Sequence, residues 1–297
     1  MLSFKFKRKD RSIQHAVRRI AREQIDKAIE TAEDKSIDSE ERIHAVRKRC
    51  KKMRGLVRVV RPEFDGYEKA NATLRDAARR LAVSRDATVQ IETLDDLKAE
   101  GDTGEAHEVS EAAYRSKRLE LEARKSEAEA GSDPEQLLSE FVSEMKRLRR
   151  AVKRWRIDED GFAAIEGGLT KTYRRMRSAM HEARENPSTE TMHEWRKRAK
   201  YHWYHVSLLR DAAPAMLKAR ASALKDLGDL LGDHHDIAIF RSMLDTEDEQ
   251  DALLERTAKE RQSQLEATAF ELGQQLAIES PSTLRKRFEG FWGLMKD

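Results

Sequence analysis

The chain has 297 residues, with 58 Lys+Arg against 55 Asp+Glu for a net charge of +3, and 38% of it is charged while only 13 residues are Gly and 5 are Pro. That mixture argues against a turn-rich β fold and for long helices with solvated faces. No run approaches the roughly 18 apolar residues of a membrane span, the opening MLSFKFKRKD lacks a secretory apolar stretch, and the lone Cys50 has no partner for a disulfide or thiolate metal site, so a cytoplasmic protein is expected.

Apolar residues recurring at three-and-four spacing predict the helices in turn. The first covers about residues 12–31, with Ile13, Val17, Ile20 and Gln24/Ala28 facing inward. The second covers 39–61, with Ile43, Val46, Cys50, Met53, Val57 and Val60 inward, until Pro62 stops it. Helices near 67–82 and 87–98 follow, then Gly101 and Gly104, then a charged helix over about 105–130 that ends at the turn signal GSDP. From Pro134 to about 156, Leu138, Phe141, Met145, Leu148, Val152 and Trp155 share one side. After Gly161 and Gly167-Gly168, helices are expected near 169–185, 188–209, 214–231, 236–244, 247–277 and 282–295. The predicted class is all-α: a basic tail over 1–11, a first helical repeat over 12–160 and a second over 161–297.

The near-neutral total hides strong local fields. Residues 43–61 hold eight Lys/Arg and no acid, whereas 102–135 hold ten acids against five bases. An internal repeat is the most informative feature. IHAVRKRCK at 43–51 aligns without gaps on MHEWRKRAK at 192–200, so histidine, both arginines and both lysines coincide. Upstream, VRRI at 17–20 resembles YRRM at 173–176; downstream, Ser84-Arg85-Asp86-Ala87 falls near His234-His235-Asp236-Ile237.

Residues three, four and seven apart share a helix face. His44, Arg47, Lys51, Arg54 and Arg58 therefore form one stripe beside Lys48, and His193, Arg196, Lys197 and Lys200 form its duplicate. Comparable faces carry Arg11, His15, Arg18, Arg19 and Arg22; Lys171, Arg174 and Arg175; and Lys146, Arg149, Arg150 and Lys153. Like charges along a helix repel one another, so five such stripes call for an external anion. Solvation alone requires neither a histidine at a fixed place nor the same order twice. Phosphate suits the set, because arginine forks onto two oxygens, lysine adds a compact charge and histidine donates or becomes cationic.

At these residues the sequence resembles the CHAD family, the conserved histidine α-helical domain. The likeness rests on His44-x-x-Arg47-x-x-x-Lys51-x-x-Arg54, on His193-x-x-Arg196-Lys197-x-x-Lys200, and on the Arg85-Asp86 and Leu231-Gly232-Asp233 to Asp236 segments after them, and covers about residues 12–295. It implies two pseudo-symmetric antiparallel bundles around a basic central channel, inorganic polyphosphate as the ligand, and association with polyphosphate granules. Many members carry a triphosphatase-like CYTH module at the N-terminus. With about ten residues before the first helix, that module and its metal-binding strand are expected to be absent, so neither catalysis nor a cofactor is expected. The second unit departs from the first, with Trp203 in place of Arg54 and His234-His235 in place of Ser84-Arg85.

Three other readings compete. Asp226, Asp229, Asp233 and Asp236 share a face if their helix continues through Gly232, and with His234 and His235 they offer ligands for a divalent metal. The basic faces also suit nucleic acid, although they carry few groups for base readout. The charged helices at 105–130 and 247–277 suit a protein partner.

Overall fold

The computed structural model describes residues 4–81, 86–102, 109–131 and 133–296. Those residues are mostly helical and contain no strand. In chain order the helices are α1 (Ile13–Glu33), α2 (Ser39–Val59), α3 (Tyr67–Arg80), α4 (Asp86–Asp102), α5 (Glu111–Ala130), α6 (Pro134–Val152), α7 (Ala163–Glu185), α8 (Thr189–Leu209), α9 (Pro214–Arg241), α10 (Glu249–Leu276) and α11 (Pro281–Lys296), with a 3-10 turn over Arg61–Glu63.

Local chemistry sets many of the ends. The Ser12 hydroxyl accepts from the His15 amide and the Asp38 carboxylate from the Glu40 amide, while Ser188 and Thr191 close a reciprocal capping box at α8. Pro134, Pro214 and Pro281 stand at first helical positions, where a missing N–H costs nothing.

The main core joins α1, α2, α3 and α6 to α7, α8, α9 and α11, and every inward residue predicted for α1, α2 and α6 is buried. Burial pushes the Cys50 thiol up to about 12, as fits a core residue rather than a reactive one. Helix α2 packs on α8 and α7. A Cβ on Gly55 of α2 would stand 2.6 Å from Cβ of Tyr204 on α8, and one on Gly168 of α7 would collide with the Val59 carbonyl oxygen and lie 2.6 Å from that of Arg58.

Two expectations are corrected. The glycine pair at 167–168 does not precede α7 but lies inside it, because Gly168 is needed where α7 meets the α2 backbone. The helices expected at 214–231 and 236–244 are one, α9, since Gly232 makes room for the Arg196 guanidinium instead of ending the helix. Residues 4–10 dock on the bundle: the Phe6 amide donates to the Leu208 carbonyl at 2.8 Å, its ring packs edge-on at 6.0 Å to Trp292, and Asp10 pairs with Arg19 at 2.7 Å. A second core crosses residue 160. Leu94, Leu97, Val109, Ala113 and Leu121 of the α4–α5 region form a second small core with Ile237, Phe240, Leu254, Ala258 and Leu265 of α9 and α10.

That second core also accounts for the charged helices. Among the described residues of α5, Lys117 forms a buried pair with Asp251 of α10 at 2.7 Å, and Arg241 of α9 holds Glu255. Residues 105–108 of the predicted fifth helix lie outside the described residues, as do Ser84 and Arg85.

Candidate anion site on α2, α7 and α8

The C-terminal half of α2 carries Arg54 and Arg58 past the buried ring of Tyr201 on α8. The Arg58 guanidinium lies 4.2 Å from that ring centroid and the Arg54 guanidinium 5.8 Å, so the aromatic face holds both by cation–π attraction. Arg54 Nε and Arg58 Nη2 each donate to Asn71 Oδ1 of α3 at 3.2 Å. One neutral oxygen thus serves two guanidinium groups.

Arg61 extends this group where the chain leaves α2, and Lys171 and Arg175 approach from α7. Burial, then Arg175, lowers the basicity of Arg61, while the Tyr67 phenol beside it and the Arg58 charge have smaller, opposing effects. Lys171 is held below its ordinary value chiefly by Arg61, then by Arg175. Burial likewise depresses Arg54. Among the described residues no carboxylate lies within ion-pair distance of Arg54, Arg58, Arg61, Lys171 or Arg175. Arg58 Nε and both Nε and Nη2 of Arg61 are buried without a hydrogen-bond partner. Unsatisfied buried donors cost about 1–3 kcal/mol each, so this arrangement is far from self-sufficient.

His205 stands behind the cluster. Its Nε2–H donates to the Gly55 carbonyl at 3.1 Å, and burial, then the charges of Arg61 and Arg58, push its pKa down to about 3. It is a neutral packing residue and adds no positive charge.

A second group gathers where α8 crosses α9. Gly228 and Gly232, four residues apart on α9, leave room for the Lys200 stem and the Arg196 guanidinium: added Cβ atoms would meet Lys200 Cε at 2.6 Å and Arg196 Nη2 at 2.8 Å. Lys200 Nζ reaches Asp229 at 2.8 Å and lies 5.3 Å from the Trp203 ring. Lys197 pairs with Glu194. His193 packs on His235 at 4.5 Å between ring centroids, and burial, then His235, lowers its pKa. The packing around Asp233, followed by Asp236 and Asp229, pushes its carboxyl up to about 6. Asp229 therefore compensates part of this duplicate motif.

The α1 and α6 stripes do not join either group. Arg18 donates through Nε to the Trp155 carbonyl at 2.8 Å; Arg19 is held by Asp10 and Glu23; His15 lies 3.8 Å from Asp10. With Arg22 they line a separate cavity of about 410 Å³ that also contains Glu23 and Asp26. Lys146 pairs with Glu33 at 3.0 Å and Arg149 with Asp26, because packing α6 on α1 brings the basic stripe of one to acids of the other. Arg150, Lys153 and Arg174 are exposed. On α2, Lys48 and Lys51 are exposed while His44 and Arg47 are half-buried.

The residues of the metal reading face different partners. His234 turns toward Glu266, 3.6 Å away, whereas His235 turns to His193, and Asp229 is occupied by Lys200 and Lys225. Among the described residues no group of three His, Cys, Asp or Glu could hold a metal ion.

Arg61, Asn71 and Tyr201 are participants that sequence reasoning missed. Arg61 continues the four-then-three spacing of Arg54 and Arg58, a usable signal beyond the Arg58 at which the stripe was ended. Asn71 and Tyr201 had none, since their role depends on how α3 and α8 dock.

A sequence model of the CHAD domain matches residues 19–245. The chain belongs to the CHAD family. The match takes in α2, α7 and α8, hence all the cations of the uncompensated cluster, and leaves the whole of α10 and α11 of this CHAD protein outside it. A search of curated proteins found no match. No helix among the described residues is long and apolar enough to cross a membrane.

Proposed function

We propose that this CHAD protein binds inorganic polyphosphate without chemical turnover, through the cations of α2, α7 and α8. The uncompensated group Arg54, Arg58, Arg61, Lys171 and Arg175 carries the reading. An anion with many oxygens would satisfy several buried guanidinium donors at once and relieve their mutual repulsion. Charge-assisted bonds of this type are worth about 1.5–3 kcal/mol each. A linear phosphate chain suits it better than one phosphate, because successive units engage successive cations at little added entropic cost.

In this reading the two copies of the His-x-x-Arg motif line a basic channel between pseudo-symmetric halves. The α2 copy contributes more, since Asp229 and Glu194 offset Lys200 and Lys197 in the other. On the α1 and α6 stripes, Arg19, Lys146 and Arg149 are already paired with acids and contribute less. A cytoplasmic protein recruited to polyphosphate granules is the setting this binding would give.

Competition calorimetry at fixed ionic strength tests the proposal, with long-chain polyphosphate, orthophosphate and duplex DNA of matched charge, and a phosphate-release assay in parallel. Polyphosphate should bind most tightly and remain intact. Equal or better binding of DNA transfers the site to nucleic acid; steady phosphate release makes the protein an enzyme.

A further inference from the structure

A larger cavity, of about 890 Å³, opens between α3 and α6, within the size range of small-molecule sites. It is chemically graded along its length. The floor is apolar, built from Ala70, Leu148, Ala151 and Trp155. Trp155 is fixed in place, since its carbonyl accepts from Arg18 and its ring packs 5.0 Å from Phe64.

Three exposed cations, Lys69, Arg147 and Arg154, border that floor. Among the described residues none of the three lies within ion-pair distance of a carboxylate, and Arg147 makes only a long 3.4 Å bond to the Ser143 carbonyl. The far end differs in kind. There α6 contributes Ser139, Ser143, Glu140 and Glu144, and Glu144 is tied to Arg80 of α3. Because α3 and α6 run side by side, Lys69 and Arg154 mark one end of the groove and Glu140 the other.

A bare phosphate chain does not fit this gradient. It would lay charge on an apolar floor and meet Glu140. A ligand with an anionic head, a flat apolar middle and hydrogen-bond donors at its far end matches all three zones. We propose that the groove is a binding site for a nucleoside phosphate, with the phosphate at Lys69 and Arg154, the ring on the Leu148–Trp155 floor, and base or sugar donors toward Ser139 and Glu140. The site is separate from the α2, α7 and α8 cluster and stands whether or not that cluster takes polyphosphate.

Calorimetry and tryptophan fluorescence on the full chain decide the matter, with AMP, adenosine and tripolyphosphate as probes in metal-free buffer. AMP should bind at one site and perturb tryptophan emission, and adenosine should bind more weakly. The Lys69→Ala/Arg154→Ala double variant changes two exposed side chains and should weaken AMP about ten-fold or more while sparing tripolyphosphate. An Arg61→Ala/Arg175→Ala variant should keep AMP binding. Failure of AMP to bind at millimolar concentration, undiminished AMP affinity in the first variant, or one-for-one displacement of AMP by tripolyphosphate would each overturn the proposal.

Discussion

Replacing Arg61 by Met separates the two costs that the α2, α7 and α8 cluster balances. The thioether side chain keeps most of the aliphatic stem and removes one charge and the donors. Two of those donors, Nε and Nη2, are buried without partners, and Arg58 and Arg175 surround the guanidinium. At about 1–3 kcal/mol for each unsatisfied buried donor, less the contact to Tyr67 and the residual solvation of a half-buried group, the ligand-free variant should gain about 1–2 kcal/mol. For a chain of this size that is a rise of a few degrees in melting temperature. Polyphosphate affinity should fall about ten-fold, and the slope of log affinity against log salt should lose about one counterion. Scanning calorimetry with and without polyphosphate reads both effects. A variant that melts lower than the parent yet binds polyphosphate equally well would show that Arg61 serves the fold, and the argument from unsatisfied donors would fail.

Gly168→Ala should cost about 3 kcal/mol or more by denaturant titration, because the atoms it meets are the Val59 and Arg58 carbonyls, which cannot move aside. Gly290→Ala on α11, with nothing within 4 Å, should gain up to about 1 kcal/mol; equal effects at the two positions would refute the close approach of α7 to α2. His205 predicts acid sensitivity. Its folded pKa, about 3, lies below the unfolded 6.5, so its contribution is complete above pH 6.5 and is lost as pH falls toward 3. Between pH 7 and pH 5 this is about 2 kcal/mol. The His205→Gln variant, which keeps an N–H for the Gly55 carbonyl, should show a flatter melting-temperature profile over that interval.

The helical class, the inward stripes of α1, α2 and α6, and the cationic stripe on α2 were legible because each depends on spacing within one helix. The compensation of Arg19 by Asp10 was not, since it requires residues 4–10 to fold back along α8, and only Phe4 and Phe6 signal that docking. Nor was the pairing of Arg149 with Asp26 across α1 and α6. A basic stripe reads the same in sequence whether it faces solvent, an acid or a ligand, and packing decides among the three. Glycine misled for a related reason. Gly168 and Gly232 resemble breaks in the chain but serve as clearances for a backbone and a guanidinium.

The small core shared by α4, α5, α9 and α10 has a consequence during synthesis. Leu94, Leu97 and Leu121 leave the ribosome well before Ile237, Phe240 and Leu265, the residues that cover them. At roughly 5–20 residues per second, the α4–α5 region waits on the order of ten seconds with its apolar side uncovered. The α4–α5 region is closed only when α9 and α10 arrive to cover it.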